Sequence, residues 1–147
     1  TAIREALAND DLTLAEKLLG RPYRILGRVI HGNELGRTID FPTANIRLHR
    51  QVNPVKGVYA VKVRLKSGAF FNGVANIGTR PTINGVNQLL EAHLFDFQGD
   101  LYGQWLDVEL CHKIRNEMKF PSFDDLKAQI AKDVETAKNV FKTDRTL

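Results

Sequence analysis

Residues 57–68 read GVYAVKVRLKSG, and the alternation within them decides the fold class. Val61, Val63 and Leu65 fall on one side of an extended chain while Lys62, Arg64 and Lys66 fall on the other, which is the pattern of a strand with one buried and one wet face. Ser67-Gly68 then turns the chain into AFFNGVANIG (69–78), a second extended segment. Working outward, YRILGRVIH (23–31) reads as a strand, and QLLEAHLFDF (88–97) alternates again, with Leu90, Ala92 and Leu94 opposite Glu91 and His93. After the turn QGD, QWLDVELC (104–111) groups Leu106, Val108 and Leu110. Short strands separated by glycine-bearing turns predict an antiparallel barrel or sandwich and exclude a βαβ repeat.

The two ends have a helical period. TAIREALANDDLTLAEKLLGRPY (1–23) predicts two short helices, with Ile3, Ala6 and Leu7 as one stripe and Leu14, Ala15, Leu18 and Leu19 as the other. Thr13 and Glu16 have capping-box spacing, and Gly20 and Pro22 stop the second helix. At the other end Ser122 predicts an N-cap, followed by Phe123, Leu126, Ile130, Val134, Ala137 and Phe141 as the apolar stripe of one amphipathic helix lying on the barrel.

The chain has 147 residues, the length of one domain, and its single cysteine, Cys111, has no partner for an internal disulfide. No apolar run is long enough to span a bilayer, so the expectation is a cytoplasmic protein with no membrane partner. Lys and Arg outnumber Asp and Glu by 21 to 17 without forming blocks, which tolerates an anionic ligand and does not call for nucleic acid.

Three stretches are candidates for chemistry. GRVIHGNELGRT (27–38) carries Gly27, Gly32 and Gly36 and is not a Walker A loop, because it is one residue short and has Arg37 in place of lysine. On its residues alone it is either a glycine-rich hairpin or a set of backbone donors for phosphate. In DFPTANI (40–46), Pro42 removes a ladder donor and predicts a broken strand, with Thr43 and Asn45 projecting the same way from an irregular segment. Those two side chains are hard oxygen donors of the kind Mg²⁺ takes beside nucleotide phosphates, or they satisfy turn backbone. Glu91 is either an ordinary exposed carboxylate or a general base lining a cleft, and His93 shares its face. In HKIRNEMKF (112–120), Arg115 and Phe120 could close over a flat ligand.

Taken in order, GRVIHGNELGRT, FPTAN, GVYAV, GVANIGTRPT, LEAHLFDFQGDLYG and KIRNEMKF closely resemble the riboflavin kinase module of the bacterial bifunctional riboflavin kinase/FAD synthetases. The resemblance runs from about Gly20 into the final helix, and residues 1–19 look like a helical connector from an N-terminal adenylyltransferase domain, leaving 20–147 as the kinase unit. It implies a mainly β fold, a six-stranded antiparallel Greek-key barrel with short N-terminal helices and a long C-terminal helix. It implies conversion of riboflavin and MgATP to FMN and ADP, and no FMN adenylyltransferase activity in this chain.

Residue by residue, the resemblance implies Glu91 as the base and Thr43 and Asn45 as Mg²⁺ ligands. Gly27, His31, Gly32, Gly36, Arg37, Thr38, Pro42 and Asn76 would join Thr43 and Asn45 around ATP. The loop of Thr79, Arg80 and Pro81, with Arg115, Glu117 and Phe120, would face the flavin. Asp40, where the family carries a small residue, and Asn116, where aspartate is common, depart from the pattern. Two other readings of the composition are a basic barrel binding single-stranded nucleic acid and an FMN-binding electron-transfer barrel. Neither predicts use of ATP.

Overall fold

The computed structural model describes residues 2–30, 43–48, 54–82 and 85–144. Helices α1 (Ala2–Ala8) and α2 (Leu12–Leu19) lead into strands β1 (Arg24–Ile30), β2 (Thr43–Leu48), β3 (Gly57–Leu65), β4 (Phe70–Thr82), β5 (Gly85–Leu94) and β6 (Trp105–Arg115), and helix α3 (Phe123–Asp144) follows. The strands close a barrel in the order β1-β2-β5-β4-β3-β6, and every neighbouring pair is antiparallel. Strands β3, β4 and β5 form a meander, and β6 returns to lie beside β3, which is Greek-key connectivity. Among the described residues no helix is long and apolar enough to cross a membrane.

The alternation of β3 holds only for its second half, and the exception locates α3. Val58, Tyr59, Ala60 and Val61 are all buried. Tyr59, Val61 and Val63 point into the barrel with Leu90, Ala92, Leu94, Leu106, Val108 and Leu110. Val58 and Ala60 point outward, where Val74, Phe95 and the Ile130, Val134, Ala137 and Phe141 stripe of α3 cover them. Strand β6 carries two register shifts against β3, and the residues squeezed out of register, Cys111 and Ile114, pack against this second cluster. The barrel therefore has a dry core and, on one flank, a second apolar layer under α3.

The N-terminal helices plug one end of the barrel: Ala6, Leu7 and Ala15 belong to its core. Two details differ from the sequence reading. The cap of α2 is Asp11, whose Oδ1 accepts from the Leu14 amide at 3.0 Å, so Thr13 lies inside the helix and forms no capping box. Leu14 and Leu18 are 42% and 46% exposed, and it is the small Ala15 that fits against the barrel. Gly20 does end the helix, in the left-handed conformation at φ 76° with its amide on the Glu16 carbonyl.

Gly27 is a strand residue of β1, and packing accounts for its missing side chain. A Cβ at this position would lie 2.2 Å from Cγ2 of Ile46, which fills the barrel beside it. Gly27→Ala is expected to destabilise the barrel by about 1–3 kcal/mol through overpacking. Chemical denaturation checks this, and an unchanged midpoint would mean that Ile46 moves aside without cost.

Candidate active site

Three adjacent strands, β2, β5 and β4, bring together polar side chains that are far apart in the chain. The register sets Asn45 opposite Glu91 and Glu91 opposite Asn76, in one row across the sheet. In the neighbouring row Thr43 faces His93 and His93 faces Val74. Because Ala44, Ile46, Leu90, Ala92, Ala75 and Ile77 point into the core, all six of these row residues stand on the outer face. Thr43 and Asn45 do project together, but from a regular strand: β2 pairs with β5 without interruption from Thr43 to Leu48, in place of the irregular segment expected after Pro42.

A cleft of about 830 Å³ opens on this face between β4, β5, the 116–122 connection and the first turns of α3. Asn76, Thr79, Glu91 and His93 form its floor, and Arg115, Glu117 and Phe120 form its wall. Thr79 to Pro81, expected as a loop, instead continue β4 in register with Gln88 to Val86 of β5. Pro42 and the glycine-rich residues His31, Gly32, Gly36, Arg37 and Thr38 lie outside the described residues, as does Asp40.

The wall is held by a buried ion pair. Arg115 donates from Nε to Oδ1 of Asp133 at 2.9 Å and from Nη2 to Oδ2 at 2.8 Å, a bidentate fork, and Gln129 Nε2 reaches Oδ1 at 3.1 Å. Asp133 is only 3% exposed. The third guanidinium nitrogen, Nη1, donates to the Asn116 carbonyl at 3.0 Å, and the Phe120 ring lies 5.8 Å from Arg115 Cζ. Arg115 thus ties the connection and its aromatic side chain to α3.

Glu117 folds onto β4. A Cβ on Gly78 would lie 1.8 Å from Glu117 Oε2, so any larger residue there would displace the Glu117 carboxylate, to which Asn76 Nδ2 donates at 3.3 Å through the same oxygen. Oδ1 of Asn76 is buried with no partner in the protein, an acceptor that a ligand's hydroxyl or amine would satisfy.

His93 is 6% exposed under α3. Burial pushes its imidazole down to about 4, and the charge of Asp133 partly opposes this. Its Nδ1 lies 3.1 Å from Thr43 Oγ1.

The sequence reading missed Asp133 and Gln129 and placed His93 beside Glu91 with no task. A signal for Asp133 was present: it follows Ile130 by three residues and precedes Ala137 by four, so a carboxylate falls on the apolar stripe of an amphipathic helix. Its partner could not be read off, because the contact between Arg115 and Asp133 depends on how α3 lies on the barrel.

A closed antiparallel barrel with a carboxylate in an aromatic-walled cleft, flanked by neutral oxygen donors, belongs to the class of small-ligand-binding barrels. The chain matches the family described as Flavokinase: Riboflavin kinase over residues 19–141, and it belongs to that family. It is 80% identical over 143 residues to the bifunctional riboflavin kinase/FMN adenylyltransferase of Haemophilus influenzae, covering 97% of this chain and 46% of that protein. The chain thus spans about half the length of the curated relatives it matches. Among solved structures it resembles the riboflavin kinase of Trypanosoma brucei, with a TM-score of 0.57, 25% identity, and coverage of 82% of this chain and 80% of the other. A Streptococcus pneumoniae protein described as a macrolide-efflux protein superposes with a TM-score of 0.81 at 38% identity, over 93% of this chain and 45% of that one.

Proposed function

We propose that this chain phosphorylates riboflavin, transferring the γ-phosphoryl group of ATP to the ribityl 5′-hydroxyl to give FMN and ADP. The observation that carries the reading is the Asn45–Glu91–Asn76 row, which sets a carboxylate on the floor of the cleft with an amide on each neighbouring strand. The cleft volume of about 830 Å³ suits a tricyclic ring with a polyol tail. Phe120 and the Arg115 beneath it form a wall on which a flat ring can stack.

In this reading Glu91 takes the proton of the 5′-hydroxyl as its oxygen attacks the γ-phosphorus, and the bond to the β,γ-bridging oxygen breaks to release ADP. The unpartnered Oδ1 of Asn76 accepts from a substrate hydroxyl and fixes the tail beside Glu91. Glu117 and Thr79 complete the flavin side. Arg115 acts on the flavin through Phe120, since its own nitrogens are engaged with Asp133 and Asn116.

Thr43 and Asn45 fit a hard divalent cation: both present neutral oxygens on one face of β2, one strand beyond Glu91, where phosphate oxygens would complete the coordination. Mg²⁺ bound there would neutralise charge on the phosphates. Thr43→Val and Asn45→Leu are each expected to raise KM for MgATP and the Mg²⁺ requirement by at least about tenfold, with riboflavin affinity measured alone little changed. Steady-state kinetics at varied Mg²⁺ checks this. Wild-type Mg²⁺ dependence in both variants would remove the two residues from the phosphate site.

A further inference from the structure

The Thr43 hydroxyl has a neighbour whose placement has a consequence for that reading. A threonine offers either its hydroxyl or its methyl to a given direction as χ1 turns, and the hydroxyl in turn offers either its proton or its lone pairs. Only one of these three presentations suits a cation. The 3.1 Å contact between Thr43 Oγ1 and Nδ1 of His93 selects among them, because it sets Oγ1 on the His93 side and, in the tautomer with the ring proton on Nε2, gives the hydroxyl proton an acceptor.

His93 is equipped to hold that geometry. Its ring is 6% exposed on the floor of the cleft, near enough to Asp133 of α3 to feel its charge. Asp133, whose charge acts on the ring, is itself fixed by the Arg115 fork and by Gln129. A ring proton held on Nε2 leaves Nδ1 as an acceptor.

We propose that His93 is a positioning residue of the phosphoryl-transfer site, accepting the Thr43 hydroxyl proton at Nδ1 and so turning the Thr43 lone pairs toward the nucleotide-bound cation. The proposal rests on the reading of Thr43 as a cation ligand given above. It separates His93 from the many buried histidines that only satisfy a fold, because its effect passes through one side chain.

Calorimetric binding of ADP at saturating Mg²⁺ and in its absence, without riboflavin, tests the proposal on a readout other than turnover. His93→Leu keeps apolar volume and deletes the acceptor, and it is expected to weaken MgADP roughly tenfold while leaving metal-free ADP unchanged. His93→Asn, whose side-chain oxygen can reach the position of Nδ1, is expected to restore most of the loss. His93→Gln, which reaches the position of Nε2 instead, is expected not to restore it, so the Asn and Gln pair carries the comparison if the Leu variant does not fold. In the double variant with Thr43→Val, the loss is expected to equal that of Thr43→Val alone. Additive losses, or equal losses for His93→Asn and His93→Gln, overturn the proposal. Wild-type MgADP binding by Thr43→Val alone instead overturns the cation-ligand reading on which it depends.

Discussion

Glu91→Gln is expected to lower kcat by about 10²–10⁴-fold while leaving thermal stability and MgATP binding close to those of the parent chain. The side chain lies between Asn45 and Asn76 on the floor of the cleft, so an amide of the same size keeps the row and its packing. What it loses is the proposed base. The ribityl hydroxyl is a weak nucleophile while it keeps its proton, and because an amide at position 91 can accept a hydrogen bond but cannot take that proton, the barrier rises by the contribution of general-base catalysis. Single-turnover kinetics with riboflavin and MgATP read this directly. A variant that retains parental kcat would take Glu91 out of the chemistry.

The second large effect is on stability. Asp133→Ala is expected to cost about 3 kcal/mol or somewhat more, because it leaves the Arg115 guanidinium beneath α3 without its bidentate partner. The Arg115 side chain is 18% exposed against 4% for Asp133, so the cation keeps some access to water and the lower part of the range for broken buried pairs applies. Loss of the fork should also loosen the 116–122 connection that Arg115 anchors through the Asn116 carbonyl, raising KM for riboflavin more than KM for ATP. Urea denaturation and paired KM measurements check both parts. A stability change below about 1 kcal/mol would mean that α3 is held by its apolar stripe alone.

The barrel was legible in the sequence where one face of a strand is wet. Lys62 and Arg64 opposite Val61 and Val63 mark β3, and Glu91 opposite Leu90 and Ala92 marks β5. It was less legible where both faces are dry, as at Val58 to Val61, since a continuous apolar run does not say which residues face the core and which face a helix. Propensity also misplaced the α2 cap: Asp11 won over Thr13 because the chain entering the helix leaves its carboxylate nearer the free amide of Leu14.

The site divides in the same way. That Thr43 and Asn45 share a face follows from their spacing, and so does the pairing of Glu91 with His93. That Asn45, Glu91 and Asn76 form a row does not, because it depends on the register between β2 and β5 and between β5 and β4, which a Greek-key path sets over a separation of more than 40 residues in the first case. Gly78 illustrates the limit in one residue: it stands in an ordinary-looking GVANIG segment, and only the fold reveals that Glu117 occupies the space of its missing side chain.

In the proposed reaction this barrel moves a phosphoryl group from ATP to riboflavin. Purified chain incubated with riboflavin, ATP and Mg²⁺, and resolved by chromatography with fluorescence and absorbance detection, tests it most directly. The expected result is FMN and ADP accumulating in equal amounts, at a rate that falls away when the divalent cation is chelated. Riboflavin left unphosphorylated by a folded chain, or ATP consumed without FMN, would contradict it.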